Sequence, residues 1–247
     1  MPRFKCICSY DGTDFCGWQS QPNGLSVQDF IEKRLFAIFK KPIRIHASGR
    51  TDAGVHANAQ VFHFDADWPH SVEQLLIAMR SHHRRDVLIL SLKKCSPKFH
   101  ARFSVIKKRY VYKIYEGFAM PETTRYVWSL KRQTVDFEKM KDAAEIFLGT
   151  HNFRAYSANR GKGVVENTVK TIYELNLKKR GKTITISTLG SGYLYKMVRM
   201  LVGALVQVGL GKLTTQDLQR ILLAEIRGTK IRAAPAEGLR LDKVFYK

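Results

Sequence analysis

The chain has 247 residues, 45% of them hydrophobic and 26% charged, and its 42 Lys and Arg exceed its 21 Asp and Glu by 21. This composition is typical of a folded protein of one or two domains and excludes wholesale disorder. The longest apolar stretch, 200–210, is too short for the ~20 residues of a membrane span, and the N-terminus lacks the apolar core of a signal peptide. We therefore expect a cytoplasmic protein that does not enter a membrane.

Four cysteines are present, and two of them are separated by a single residue. The spacing places Cys6 and Cys8 on one face of a predicted strand, and no Cys-x-x-Cys pair occurs. We expect reduced packing residues, with a zinc site as the alternative.

The positive charge is distributed in short clusters and not in one basic tail. It therefore belongs to folded surfaces and predicts a polyanionic partner, with nucleic acid favoured over an anionic membrane. Each cluster taken alone is equally typical of a solvated face. The clusters are His82–Arg85, Lys93–Lys94, Lys107–Arg109, Lys178–Arg180, and the spaced set Arg227, Lys230 and Arg232.

The first half of the chain has strand and helix patterns in the order βαββαβ. Phe4–Tyr10 alternates apolar and polar residues as a half-buried strand does, and Ser26 with Asp29 predicts a capped start for the next helix. Further strands are predicted at 43–47, 60–64 and 87–92, and a second helix at 72–80.

The second half repeats this order. Strands are predicted at 110–115, 169–177, 183–189 and 239–245, a basic turn at 178–182, and helices at 137–148, 195–208 and 216–224. The repeat predicts an α/β (α+β) fold of two tandem ferredoxin-like βαββαβ units with adjoining, mainly antiparallel sheets flanked by helices. We assign the N-terminal unit to 1–106 and the C-terminal unit to 107–247.

The loop from Ser48 to Ala57 has the most unusual sequence. Asp52 lies between two glycines, with Arg50 two residues before it and His56 four residues after it. Glycines allow tight turns and close approach of a ligand to the backbone. A structural turn capped by its own Asp is one interpretation. A metal site of Asp52 and His56 is another, although a third ligand is not evident.

The segment Gly49–His56 resembles the active-site motif of the tRNA pseudouridine synthase A family. The resemblance extends over residues 3–245, and it departs from the family at His82–Arg85, where a Leu-Pro step is usual, and at Tyr195–Lys196. Four further segments agree in order and spacing: Tyr10–Thr13 with Gly17–Gln19, Phe99–Ser104, Arg109–Tyr112, and Met197–Arg199.

The resemblance implies isomerisation of uridine to pseudouridine within folded RNA. The N-glycosidic bond breaks, the uracil turns in the site, and its C5 bonds to the same sugar carbon. Because no electrons are exchanged and no group is lost, we expect neither a cofactor nor a metal.

The resemblance also implies roles for three residues, and the positions of Arg50 and His56 in the loop suggest roles for two more. Asp52 matches the catalytic aspartate, which acts in its ionised form as a nucleophile toward sugar or base, or as a base in an elimination. Arg199 matches the arginine that pairs with it, and a bidentate contact would keep the carboxylate ionised and oriented. Tyr110 matches the tyrosine that stacks on the uracil. We expect Arg50 to fill the space left by the flipped base, hold a phosphate or stabilise the turn, and His56 to support the loop.

The implied partner is the tRNA anticodon stem-loop, with uridines 38, 39 and 40 as targets and a homodimer as the working form. A non-catalytic RNA-binding protein with tandem RRM-like units is the alternative, although the RRM signature is missing. A metal-dependent nuclease using Asp52 and His56 is a third interpretation.

Overall fold

A computed structural model describes residues 1–22, 24–81, 84–159, 167–227 and 231–247. Its residues fall into two units. The first unit consists of residues 1–106 and 240–247, and the second of residues 107–239. The basic pair His82–His83 and Lys230, both named in the charge clusters above, lie outside the described residues.

The first unit has the predicted βαββαβ order. Strand β1 lies between β4 and β3, β2 pairs with the other side of β3, and each of these pairings is antiparallel. Its elements are β1 (Arg3–Tyr10), α1 (Val27–Phe39), β2 (His46–Ala47), β3 (His56–Asp65), α2 (Val72–Arg80) and β4 (Val87–Cys95).

Local chemistry explains the ends of these elements. The Ser26 side chain accepts a hydrogen bond from the Asp29 backbone and begins α1, and Ser71 forms a full capping box at the start of α2. Strand β2 is shorter than the predicted 43–47. The Ile45 backbone N–H donates to the Glu32 carboxylate at 3.0 Å and not to a neighbouring strand.

The second unit is also a helix-flanked sheet. Strand β9 lies between β5 and β8 in antiparallel pairings, β7 pairs with the far side of β8, and β6 runs parallel to β5. Its elements are β5 (Val105–Tyr115), α3 (Pro121–Thr124), β6 (Trp128–Ser129), α4 (Phe137–Ala144), β7 (Gly149–Asn152), β8 (Val169–Arg180), β9 (Thr183–Gly190), α5 (Met197–Gly209) and α6 (Thr215–Ala224).

Four boundaries in this unit differ from the predicted ones by two residues or more. Strand β5 begins at Val105 and not at 110. The helix predicted at 137–148 ends at Ala144 and continues as a 3₁₀ turn, Glu145–Phe147. The basic residues 178–180 extend strand β8, so the turn is confined to Gly181 and Lys182. Helix α5 begins two residues late because Lys196 has φ 57°, which an α-helix does not accept.

The last strand, β10 (Leu239–Tyr246), packs with the first unit. It runs parallel to β3, and Arg240 pairs with His56. The sequence assignment put these residues in the C-terminal unit, because the βαββαβ repeat needs a sixth element there. The pairing instead brings β10 to the strand end at which the Asp52 loop finishes.

The fold is therefore the predicted mixture of helices and mainly antiparallel sheets. Cys6 and Cys8 are buried in the first core, where burial raises the pKa of both thiols, and all four cysteines are free. Across the described part of the chain, every helix is too short or too polar to span a bilayer.

Candidate active site

The base of the Asp52 loop is fixed by a buried glutamine of β3. The Ser48 hydroxyl donates to Gln60 Oε1 at 2.7 Å, and Gln60 Nε2 donates to the Gly49 carbonyl at 2.9 Å. Both side chains are buried. Since a buried amide without partners costs free energy, this satisfied pair holds the entrance of the loop in one conformation.

The Gly17–Gln19 segment packs on the middle of the loop. The Trp18 backbone N–H donates to the Thr51 carbonyl at 3.2 Å, and the Tyr10 and Thr51 hydroxyls are 2.9 Å apart. Gly17 has φ 104°, and a Cβ there would lie 2.6 Å from the Thr51 carbonyl oxygen. Glycine is therefore required by both backbone conformation and contact.

The Tyr10–Thr13 segment packs on the end of the loop. A Cβ at Gly12 would lie 2.1 Å from the Val55 carbonyl oxygen, and the Gly12 N–H donates to His56 Nδ1 at 3.0 Å. Two segments separated by about forty residues in the sequence therefore form one assembly around the loop.

His56 Nδ1 has two neighbours that favour opposite protonation states. It accepts from the Gly12 N–H, yet it also lies 3.1 Å from an Asp11 oxygen, which would need a proton on Nδ1. That Asp11 oxygen already accepts from the Thr13 backbone and hydroxyl, at 2.9 and 2.6 Å. Both contacts of Nδ1 hold the His56 ring at the end of the loop, which suits a supporting position.

The turn that carries Asp52 is closed by backbone groups. The Asp52 carbonyl accepts from the Val55 N–H at 3.2 Å, and Gly54 has φ 76°. The Asp52 side chain is half-buried, whereas Arg50 is exposed. The first unit thus brings Arg50, Asp52 and His56 together on one constrained loop.

Tyr110 lies on β5 in the second unit. Its ring is 9% exposed and meets the Tyr193 ring edge-on, with centroids 5.2 Å apart. The Tyr193 and Thr188 hydroxyls are 3.0 Å apart, and Thr188 is the partner of Tyr110 in β9. The predicted alternation is confirmed, since Tyr110, Tyr112 and Ile114 are the buried residues of this strand.

Arg199 lies in the first turn of α5 and is half-buried. Its Nε donates to the Ala234 carbonyl at 2.7 Å, and the Ala234 N–H donates to the Arg199 carbonyl at 2.9 Å. Because the Nε contact fixes the plane of the guanidinium, the direction of its two terminal nitrogens is also set.

The segment 232–235, which we call the strap, lies close against α5. A Cβ at Gly203 would lie 2.1 Å from the Arg232 carbonyl oxygen. The buried Tyr112 hydroxyl donates to the Pro235 carbonyl at 2.8 Å. The strap therefore has one fixed position on this unit, and it carries the Ala234 carbonyl that holds Arg199.

Sequence reasoning missed several supporting residues. Gln60 was recognisable as a polar residue before the apolar run 61–62, whereas Ala234 acts through its backbone and has no side-chain signal.

Two residues of the predicted basic clusters, Arg84 and Lys179, form ion pairs within the fold. Arg84 pairs with Asp86 and Lys179 with Glu116.

Among the residues that the structure describes, no group of three or more His, Cys, Asp or Glu is arranged to hold a metal ion. A family profile described as tRNA pseudouridine synthase matches residues 7–104 and 143–247. The chain belongs to the tRNA pseudouridine synthase family. It is accordingly an isomerase, and the matched ranges include the Asp52 loop and Arg199 but not Tyr110.

Curated relatives agree with this assignment over the full length. The tRNA pseudouridine synthase A of Bacillus licheniformis is 38% identical over 253 residues, covering 99% of both chains. That of Maridesulfovibrio salexigens is 39% identical, covering all of this chain and 91% of the relative. The tRNA pseudouridine synthase A 1 of Protochlamydia amoebophila is 37% identical, covering all of this chain and 97% of the relative.

Proposed function

We propose that this pseudouridine synthase isomerises uridines 38, 39 and 40 in the anticodon stem-loop of tRNA, with Asp52 as its catalytic residue. The observation that carries the proposal is the constrained loop, in which the backbone on both sides of the half-buried Asp52 is held by contacts from two other segments. Family membership and the surplus of 21 positive charges support an RNA substrate.

The chemistry needs an ionised carboxylate beside the sugar and the base. The target uridine first leaves its stack, at a cost of a few kcal/mol. Asp52 then acts as nucleophile or base while the N-glycosidic bond breaks. The uracil turns, its C5 forms the new bond to the sugar carbon, the C5 proton is released to water, and N1, freed when the N-glycosidic bond breaks, takes up one proton from water. Atoms and electrons balance without a further reactant.

The other site residues take supporting parts in this proposal. Arg199 pairs with Asp52 through the terminal nitrogens of its guanidinium, whose plane the strap fixes. Tyr110 stacks on the flipped uracil and recovers about 1–3 kcal/mol. Arg50, exposed on the loop, fills the vacated space in the helix or binds a phosphate. His56 supports the loop through Gly12.

The working form in this proposal is a cytoplasmic homodimer that binds one tRNA across both subunits. A broad basic surface favours this arrangement, because folded tRNA presents phosphates over a larger area than one stem-loop. Sedimentation of the protein with and without tRNA tests it. A monomer that retains full activity would contradict it.

The deciding experiment uses tRNA that carries tritium at uracil C5. We expect release of tritium to water in the presence of EDTA, and we expect Asp52→Asn to abolish release while tRNA binding persists. A non-catalytic RNA-binding protein would bind without release, and a metal-dependent nuclease would cleave the RNA and be inhibited by EDTA. Unchanged release by Asp52→Asn would overturn the assignment.

A further inference from the structure

A rigid turn between β4 and β5 presents an exposed aromatic ring. Phe103, in the turn 96–104, is 77% exposed. One face of its ring rests on His100, with centroids 4.3 Å apart and an interplanar angle of 30°. An exposed phenylalanine gains little from the hydrophobic effect, so packing within the fold does not account for its position.

The turn itself is anchored to the first unit from three sides. Arg3 donates to the carbonyls of Pro97 and Phe99, each at 2.7 Å. The Tyr246 hydroxyl donates to the Ala101 carbonyl at 2.7 Å. The buried His63 accepts from the Ala101 N–H at 3.1 Å through its Nδ1. The backbone that carries Phe103 is therefore ordered before any partner arrives.

His100 is held equally firmly. Its Nδ1 accepts from the backbone of Arg102 and Phe103, at 3.1 and 3.3 Å, and its carbonyl accepts from the Ser104 N–H at 2.9 Å. Its ring also meets the His63 ring at 4.6 Å. Phe103 is thus the outer ring of an aromatic column whose inner ring is buried.

The surroundings of the ring are cationic. The Arg102 guanidinium lies 5.8 Å from the Phe103 centroid, and Lys98 is exposed in the same turn. Residues 87–106 contain four Lys or Arg and no Asp or Glu. A protein-binding anchor is usually surrounded by further apolar surface. An exposed ring next to an arginine instead fits an unpaired base and its phosphate.

We infer that Phe103, on its His100 support, is a stacking platform for an unpaired tRNA nucleotide distinct from the uridine that reacts at Asp52. Arg102 binds the phosphate of that nucleotide. This inference rests on the proposed function, since it takes tRNA as the substrate. It adds a second single-stranded contact, which would fix how the tRNA lies on the protein.

The test compares tRNA affinity at constant salt for four proteins. We expect Phe103→Leu to weaken binding about 5- to 150-fold, the loss of one stacked base, while Phe103→Tyr binds like the wild type. The matched control is Phe36→Leu, because Phe36 is 53% exposed on α1 but lines a cavity in which the charges of Asp29 and Glu32 are balanced by those of Lys33 and Arg44. That control should bind normally.

Salt dependence separates the two parts of the platform. Phe103→Leu should lower the affinity without changing the slope of log K against log salt. Arg102→Gln should reduce the magnitude of that slope by about 0.7–0.9, the value for one phosphate contact. In addition, tRNA should quench the fluorescence of Phe103→Trp more strongly than that of the wild type.

Several results would overturn the inference. They are an unchanged affinity in Phe103→Leu, an absence of extra quenching in Phe103→Trp, or a loss of self-association in Phe103→Leu with normal tRNA binding, which would make the ring a protein contact. If Phe103→Leu fails to fold, the Tyr and Trp variants still decide the question. Failure of the proposed function would be recognised separately, since the wild type would then release no tritium.

Discussion

Asp52, the catalytic residue in our proposal, lies on a loop in which several other residues are committed to structure. Thr51, Gly54 and Val55 each contribute backbone or side-chain contacts to the Tyr10–Gln19 segment or to the turn itself. A loop backbone held in this way loses little further conformational entropy when substrate arrives, which is a requirement of preorganised catalysis.

Gly12→Ala tests this packing. The new Cβ would meet the Val55 carbonyl oxygen at 2.1 Å, which neither backbone can tolerate without moving. We expect the free energy of unfolding to fall by about 1–3 kcal/mol and turnover to fall with it. Gly192→Ala is the matched control, because nothing lies within 4 Å of its Cβ position. Urea unfolding and tritium release measure both, and equal behaviour of the two variants would contradict the contact.

Arg199→Lys tests the pairing proposed with Asp52. Lysine lacks the Nε donor to Ala234 and the planar fork, so we expect turnover to fall about 10- to 150-fold. Arg220→Lys is the control, since Arg220 is an exposed arginine of α6 in the same unit. Kinetics indistinguishable from those of the wild type at every pH would count against the pairing.

At the scale of elements, the predictable parts were those fixed by local signals. Helix α2 begins and ends at the predicted residues, and its start is fixed by the capping box of Ser71 and Gln74. The predicted boundaries were wrong where a contact with a residue distant in the sequence determines the backbone conformation. Glu32 takes the Ile45 N–H away from strand pairing, and β7 exists only because β8 is beside it. Such contacts have no signature in a local window of sequence.

The strap contacts Arg199 directly through the Ala234 carbonyl, and Tyr112 in turn holds the strap. Tyr112→Phe removes the hydroxyl that donates to the Pro235 carbonyl. We expect the free energy of unfolding to fall by about 0.5–1.5 kcal/mol and turnover to fall several-fold, because the strap positions Ala234. Tyr173→Phe, on an exposed position of β8, should change neither quantity. A Tyr112→Phe protein with normal stability and turnover would show that the strap is not held by this bond.

The histidines under the 96–104 turn make the first unit sensitive to acid. Burial, followed by the charges of His100, Arg3 and His46, lowers the pKa of His63 to about 4. In the unfolded chain its pKa is near 6.5, so between pH 6.5 and 4 the unfolded state binds the extra proton. Stability therefore falls as the pH drops through this window, by roughly 3 kcal/mol for this residue.

His63→Asn should flatten that dependence, since Asn can accept the Ala101 N–H without titrating in this range. Urea unfolding at pH 4, 5.5 and 7 for wild type and variant measures the difference. The account would fail if the two proteins lost the same amount of stability on acidification. Asp65, beside Arg3, is coupled by charge to His63, so the comparison measures His63 together with this coupling.

At the scale of the whole molecule, the charge of +21 indicated only a polyanionic partner. The family motif identified the chemistry, and family membership is confirmed. Assignment of the last strand failed because its first-unit partner, β3, lies far away in the sequence. The contact between Ala234 and Arg199 could not be predicted from the sequence either. It uses only a backbone carbonyl and a backbone N–H, which any residue except proline supplies.

The positive charge of the chain leads to a prediction about the salt dependence of tRNA binding. If several lysines and arginines contact phosphates, raising the salt from 50 to 200 mM should weaken tRNA binding by roughly a thousandfold. The free energy of unfolding, measured over the same range, is the control against loss of the fold. Affinity that does not respond to salt would mean that the positive surface is not the tRNA-binding surface.

The most direct test of the central claim is to locate pseudouridine in the product. An unmodified tRNA transcript with uridines at 38, 39 and 40 is incubated with the protein, treated with a carbodiimide that labels pseudouridine, and read by primer extension. We expect label at those positions with the wild type and none with Asp52→Asn. Label elsewhere only, label formed equally by Asp52→Asn, or no label with the wild type would contradict the account.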